Sequence, residues 1–147
     1  MDATSDWFWE GNVVEAVARH LLTQGWQILQ RADTLSKERG VDLYATKAGL
    51  ALLVEVKGYP SKQYRDPRRA GELKSTNPTN QAQHWYSHAL LKALRLQSSD
   101  PKAVVALAFP DFPRFRALHS ETRTGLERLS IVIMFVTESG EVQTFGM

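Results

Sequence analysis

A single α/β domain with a mixed β-sheet is the fold class this sequence predicts, on three observations. Segments with helical apolar spacing alternate with short β-rich runs. Two of those runs, Leu50 to Val54 and Ile131 to Val136, are apolar on both faces, as central strands are. A tight turn, Thr46-Lys47-Ala48-Gly49, joins two β-rich segments into an antiparallel hairpin, whereas later strands are separated by helices.

The elements follow in order. Ser5 or Asp6 can cap a first helix whose stripe is Val13, Val14, Val17, Ala18, Leu21 and Leu22, with Gly25 at its C-terminal end. Trp26 to Gln30 reads as the first strand, and Val41 to Ala45 with Leu50 to Lys57 as the hairpin. The stretch from Gly58 to Asn80 has neither period and reads as a long loop. A second helix starts near Pro78 and runs to about Leu96, burying Ala82, Trp85, Ala89, Leu90, Ala93 and Leu94. Lys102 to Phe109 is a strand, Pro113 to about Leu129 a third helix, and Ile131 to Val136 a strand that Glu138-Ser139-Gly140-Glu141 turns into a final hairpin. No repeat, low-complexity segment or second core interrupts this order.

Composition narrows the chemistry. A chain of 147 residues can bury a sizeable core without staples. With no cysteine it has no disulfide, no thiolate nucleophile and no Cys-ligated zinc, so any metal must be held by oxygen or imidazole. No apolar run approaches a membrane span and the start of the chain is acidic, so a soluble cytoplasmic protein is expected. The net charge of +2 identifies no partner by itself. The histidines His20, His84, His88 and His119 form no zinc spacing, and neither a Gly-rich phosphate loop nor a Gly-x-Ser-x-Gly elbow occurs.

Two adjacent strands place charge where the pattern asks for apolar residues. Asp42 follows Gly40-Val41, and Glu55-Val56-Lys57 ends the most hydrophobic strand. Side chains at i and i+2 share a strand face, so Glu55 and Lys57 point the same way, and Asp42 on the partner strand can join them. Such a cluster is costly unless its charges compensate or a cation binds. Asp42, Glu55 and a main-chain carbonyl, that of Val56, are the hard oxygen donors that Mg²⁺ prefers, and a neighbouring lysine can serve the attacking water. The set fits metal-dependent phosphodiester hydrolysis. The plain alternative is that Asp42 ends a turn and Glu55 pairs with Lys57 on an exposed face.

Gly40-Val41-Asp42, a turn, and Val54-Glu55-Val56-Lys57-Gly58 behind a helix and a strand resemble the PD-(D/E)xK nuclease superfamily, from about Trp7 to Leu96. Val41 stands where that family's motif has proline. The resemblance implies a restriction-endonuclease-like three-layer α/β/α fold with a central mixed sheet. It further implies Asp42 and Glu55 as metal ligands for Mg²⁺ or Mn²⁺, and Lys57 as the group serving the water. Many members add a glutamate from the first helix. Glu10 lies near the centre of the apolar stripe and Glu15 on its edge, so Glu10 is preferred and Glu15 held in reserve; Glu10 could equally just favour the helix dipole. Gln81, four residues before Trp85, resembles the Gln-x-x-x-Tyr signature of the exonuclease-like branch, with Gln83 and His84 as weaker alternatives.

The loop supplies Lys62, Arg65, Arg68, Arg69 and Lys74, which could contact backbone phosphates, and Tyr59 and Tyr64, which could stack on an unpaired base. A merely solvated loop is the alternative. The expected activity is a metal-dependent nuclease on DNA; a non-catalytic nucleic-acid-binding or assembly module on the same fold is the second reading. Trp7, Phe8 and Trp9 are either a helix-entry staple or a contact in a homodimer or larger complex.

Overall fold

A computed structural model describes residues 5–31, 40–60 and 77–147 of the chain. In order, the elements are α1 (Glu10–Thr23), β1 (Gln27–Arg31), β2 (Leu43–Lys47), β3 (Leu50–Val56), α2 (Pro78–Ser99), β4 (Val104–Pro110), α3 (Pro113–Arg128), β5 (Ile131–Val136) and β6 (Val142–Phe145). They form one six-stranded sheet in the order β1-β2-β3-β4-β5-β6. The pairs β1–β2, β2–β3 and β5–β6 are antiparallel, and β3–β4 and β4–β5 parallel. This is the mixed α/β sheet that the sequence predicts.

Strand alternation builds the layers. Leu52, Val54 and Val56 project to one face, where Ala106, Ala108, Val132 and Met134 join them under the α1 residues Val13, Val14, Val17 and Leu21. Leu53, Val105, Leu107, Phe109, Ile133 and Phe135 project to the other, beneath α2 and α3. A sheet covered on both faces needs central strands apolar throughout, as β4 and β5 are.

Local chemistry explains the boundaries. Ala48 and Gly49, with φ of 51° and 80°, form a two-residue turn between Lys47 and Leu50, the primed geometry whose twist suits a hairpin. Asn77 caps α2 by accepting the Thr79 N–H at 2.8 Å, and Pro78 opens the helix. Gly25, at φ 90°, follows the C-cap Gln24 of α1.

Four expectations are corrected. α1 begins at Glu10 with Trp9 as an N-cap that makes no side-chain bond, while the Asp6 carbonyl accepts the Trp9 N–H at 3.0 Å and the Asn12 amide at 2.7 Å. Neither Ser5 nor Asp6 is the cap. Leu22 is 53% exposed, because Ala16 completes the buried face of α1 instead. On α2 the stripe is Ala82, Tyr86, Ala89 and Ala93; Tyr86 replaces Trp85, and Leu94 faces outward. Tyr86 stacks on Phe109 at 5.1 Å and its hydroxyl meets that of Thr122 at 2.6 Å, so its polar end is satisfied in the core. Trp26 is buried one residue before β1 rather than within it.

Candidate active site

Glu55 leaves β3 on the same face as Leu53, towards α2, whereas its neighbours Val54 and Val56 face α1. The last ladder pair of the hairpin is Leu43 with Val54, so Asp42 sits one step beyond it, across from Glu55. There Asp42 Oδ2 accepts the Val56 N–H at 2.8 Å, taking the place of a ladder carbonyl that β2 no longer provides. In a strand the N–H and C=O of one residue leave on the same edge, so the Val56 carbonyl is directed to the Asp42 side as well. On the opposite edge the Lys57 N–H bonds the Ala108 carbonyl at 3.0 Å, which extends the β3–β4 register through the motif.

The two carboxyl groups are close and poorly compensated. Glu55 is only 8% exposed. Burial, hydrogen bonding to Asp42 and the negative charge of Asp42 push its carboxyl up to about 9, against the weaker opposing pull of Lys57 and Lys92. When no cation is present the fold therefore favours the protonated form of Glu55. An acid pair of this kind, with one member buried, is an arrangement that a divalent cation relieves, and its donors are all oxygen. Asp42, Glu55 and the Val56 carbonyl thus fit a hard cation.

The first helix reaches the same corner through its backbone. A Cβ on Gly58 would lie 2.7 Å from the Phe8 carbonyl oxygen and 2.8 Å from the Glu10 nitrogen, so glycine there lets the chain pass directly beneath the start of α1. The Tyr59 N–H then bonds the Phe8 carbonyl at 3.1 Å. Glu10 is in this way brought beside the end of the Glu-x-Lys motif. Its carboxylate is not gathered with those of Asp42 and Glu55, because no group of three acidic or imidazole side chains converges among the described residues. Glu10 heads the first turn, and the contact with Gly58 is made by its main chain. Glu15 points elsewhere, pairing with Arg31 at 2.8 Å across α1 and β1.

Gln81 lies in the first turns of α2, with its Oε1 buried and without a hydrogen-bond partner among the described residues. Gln83 is turned to Arg114 of α3, which it accepts at 2.5 Å, and His84 is exposed. The half-buried aromatic cluster before α1 makes contacts within the chain: Trp7 stacks on Phe112 at 5.3 Å, Phe8 meets Phe112 edge-on, and Trp9 folds over Gly11. Trp7 and Phe8 therefore act as a staple that joins the entry of α1 to that of α3. Tyr59 stacks face to face on Phe112 at 3.9 Å, so one ring face is already used and the base-stacking role expected of it is not open on that side. Lys62, Tyr64, Arg65, Arg68, Arg69 and Lys74 lie outside the described residues.

Sequence reasoning missed one contributor and one contact. Lys92, on α2, donates to the Gly40 carbonyl at 3.1 Å and is among the cations acting on Glu55. Its only sequence signal was a lysine on a helix following the motif. Gly58 was legible as a motif-flanking glycine, but its contact with α1 was not.

Comparison with solved structures places this architecture. The chain is similar to an fdxN element excision controlling factor protein from Anabaena variabilis, with a TM-score of 0.52 and 17% identity over 89% of this chain and 95% of that one. It is also similar to an XisH family protein from Nostoc punctiforme, with a TM-score of 0.53 and 16% identity over 92% and 98% of the two chains. At these identities the likeness is one of fold, and it spans nearly the whole of each chain. No family model matches the sequence, nor does any curated protein. Among the described residues, no helix is long and apolar enough to cross a membrane.

Proposed function

We propose that this protein is a divalent-metal-dependent nuclease acting on DNA and a member of the PD-(D/E)xK superfamily. The observation that carries the reading is the Asp42–Glu55 pair: two carboxyls set together at the end of a central hairpin, one of them buried, with Lys57 on the same strand face. A fold does not select such a pair for stability, since removing the charge there would relieve strain. The name of one similar solved protein, an element excision controlling factor, supports a substrate of DNA.

Asp42, Glu55 and the Val56 carbonyl would hold Mg²⁺ or Mn²⁺, and the main chain of Glu10 on α1 lies against Gly58 at the end of the motif. The bound ion supplies Lewis-acid stabilisation of phosphate charge and a more acidic water. The residues of the chain do the rest. The ammonium of Lys57 orients the attacking water and offsets charge that develops on the phosphate. Burial of Glu55 on the α2 side of the sheet keeps bulk water from solvating its carboxyl, which strengthens its hold on a cation. Arg65, Arg68 and Arg69, with Lys62 and Lys74, supply sequence-independent backbone contacts.

Cleavage of single-stranded, double-stranded and branched DNA and of RNA with Mg²⁺, Mn²⁺ or chelator tests this reading. The expected result is cleavage of DNA only with metal, lost in Lys57→Ala; equal turnover in chelator would overturn it. One observation favours a second reading, a non-catalytic nucleic-acid-binding module: no third acid joins the pair among the described residues. Salt-sensitive DNA binding without turnover under any divalent cation would select it.

A further inference from the structure

Asp42 is placed by a segment that has no strand ladder of its own. β1 ends at Arg31 and β2 begins at Leu43, so residues 40–42 approach the site outside the sheet. Gly40 sits at φ 113°, a backbone conformation that favours glycine, and no atom of the described residues lies within 4 Å of where a Cβ would be. The segment is tied at one end by the Val56 N–H on Asp42 Oδ2 and at the other by Lys92 Nζ on the Gly40 carbonyl. The second tie comes from a different layer. Ala89 and Ala93 bring α2 close against the sheet, and Lys92, between them, reaches from the helix to the segment.

We propose that Lys92 is a positioning residue for the metal site: by holding the Gly40 carbonyl it fixes the Gly40-Val41-Asp42 segment so that Asp42 meets Val56 and Glu55. The inference rests on the nuclease reading for its function, but the geometry it claims can be measured without metal or turnover. The bond is solvent-exposed, but an ammonium on a carbonyl is charge-assisted, and α2 is anchored to the sheet by the buried Ala89 and Ala93. Lys92 also adds a second positive charge, beside Lys57, near the buried Glu55 carboxyl. A lysine that served only solubility would leave the Val56–Asp42 bond unchanged when removed.

The test is amide hydrogen exchange of the metal-free full chain, read at Val56 and, as a control for global stability, at Ile133 in β5. Lys92→Met is expected to speed exchange at Val56 about tenfold, the loss typical of a bond to a charged group, with Ile133 unchanged. Lys92→Arg, which can still donate to the carbonyl, is expected to restore protection. Unchanged exchange at Val56 in Lys92→Met would overturn the proposal, as would equal acceleration at both sites, which signals general destabilisation. In a second arm, Lys92→Met is expected to raise the Mg²⁺ concentration for half-maximal cleavage while leaving KM for DNA unaltered. A rise in KM alone would make Lys92 a phosphate contact and refute positioning. If the wild-type chain does not cleave, the nuclease reading fails and the exchange measurement alone decides the role of Lys92.

Discussion

Two acids at the same edge of the sheet have opposite fates. Asp111, just after β4, is gripped by Arg116 of α3 through two bonds of 2.7 and 2.9 Å, and these hold its carboxyl below the usual range. Arg116 also accepts a ring on its other side, its guanidinium carbon lying 4.2 Å from the Phe135 centroid. Glu55, at the end of β3, faces a second carboxylate and is pushed up to about 9, mainly by burial and then by Asp42. The first acid is compensated by the fold and serves structure. The second is left in conflict by the fold, and that conflict is the feature on which the proposed metal site rests.

The strongest way to break this contrast is to remove the conflict. Glu55→Gln and Asp42→Asn should each lower metal-dependent cleavage by at least about 100-fold while the far-ultraviolet circular dichroism stays native. The equivalent change at the other acid, Asp111→Asn, should leave cleavage within a few-fold of wild type; a comparable loss there would erase the distinction.

The two acids should also give opposite pH dependences. Glu55 is raised in the folded state from 4.5 to about 9, so across that window the folded chain binds more protons than the unfolded one. Metal-free stability should therefore fall as pH rises, by at most about 1.4 kcal/mol per pH unit. Urea titrations in chelator at several pH values read the slope, and Glu55→Gln should flatten it. Asp111 is lowered in the folded state, so its contribution is present above its ordinary value of 3.8 and is lost as the solution is acidified through the folded value. Asp111→Asn should flatten only that acid limb.

Gly58→Ala sharpens the comparison from the side of the backbone. The new methyl meets main-chain atoms of Phe8 and Glu10 that cannot rotate away, so a loss of about 1–3 kcal/mol in thermal denaturation is expected. Cleavage should fall further than stability alone explains if the start of α1 belongs to the site. The smallest effect is expected at a polar group the core satisfies completely. Tyr86→Phe removes the bond to Thr122, which retains the Leu118 carbonyl at 2.8 Å, and should cost about 1 kcal/mol with activity intact.

The sequence alone determined the element order, because period and punctuation are local properties. The apolar run of β3, the Ala48-Gly49 turn and the Asn77-Pro78 helix start each state their structure within a few residues. The pairing of Asp42 with Glu55 was legible for the same reason, since a tight hairpin fixes which residues stand opposite. Tertiary structure alone decided which face of each helix is buried where the candidates are adjacent, as with Tyr86 and Trp85. Tyr86 is the inward one, stacked on Phe109 of the sheet and bonded to the Thr122 hydroxyl of another helix. It likewise decided that Trp7 and Phe8 close on Phe112, that Gly58 admits α1 and that Lys92 reaches Gly40. These contacts join residues far apart in the chain, and no local pattern encodes the distance between them.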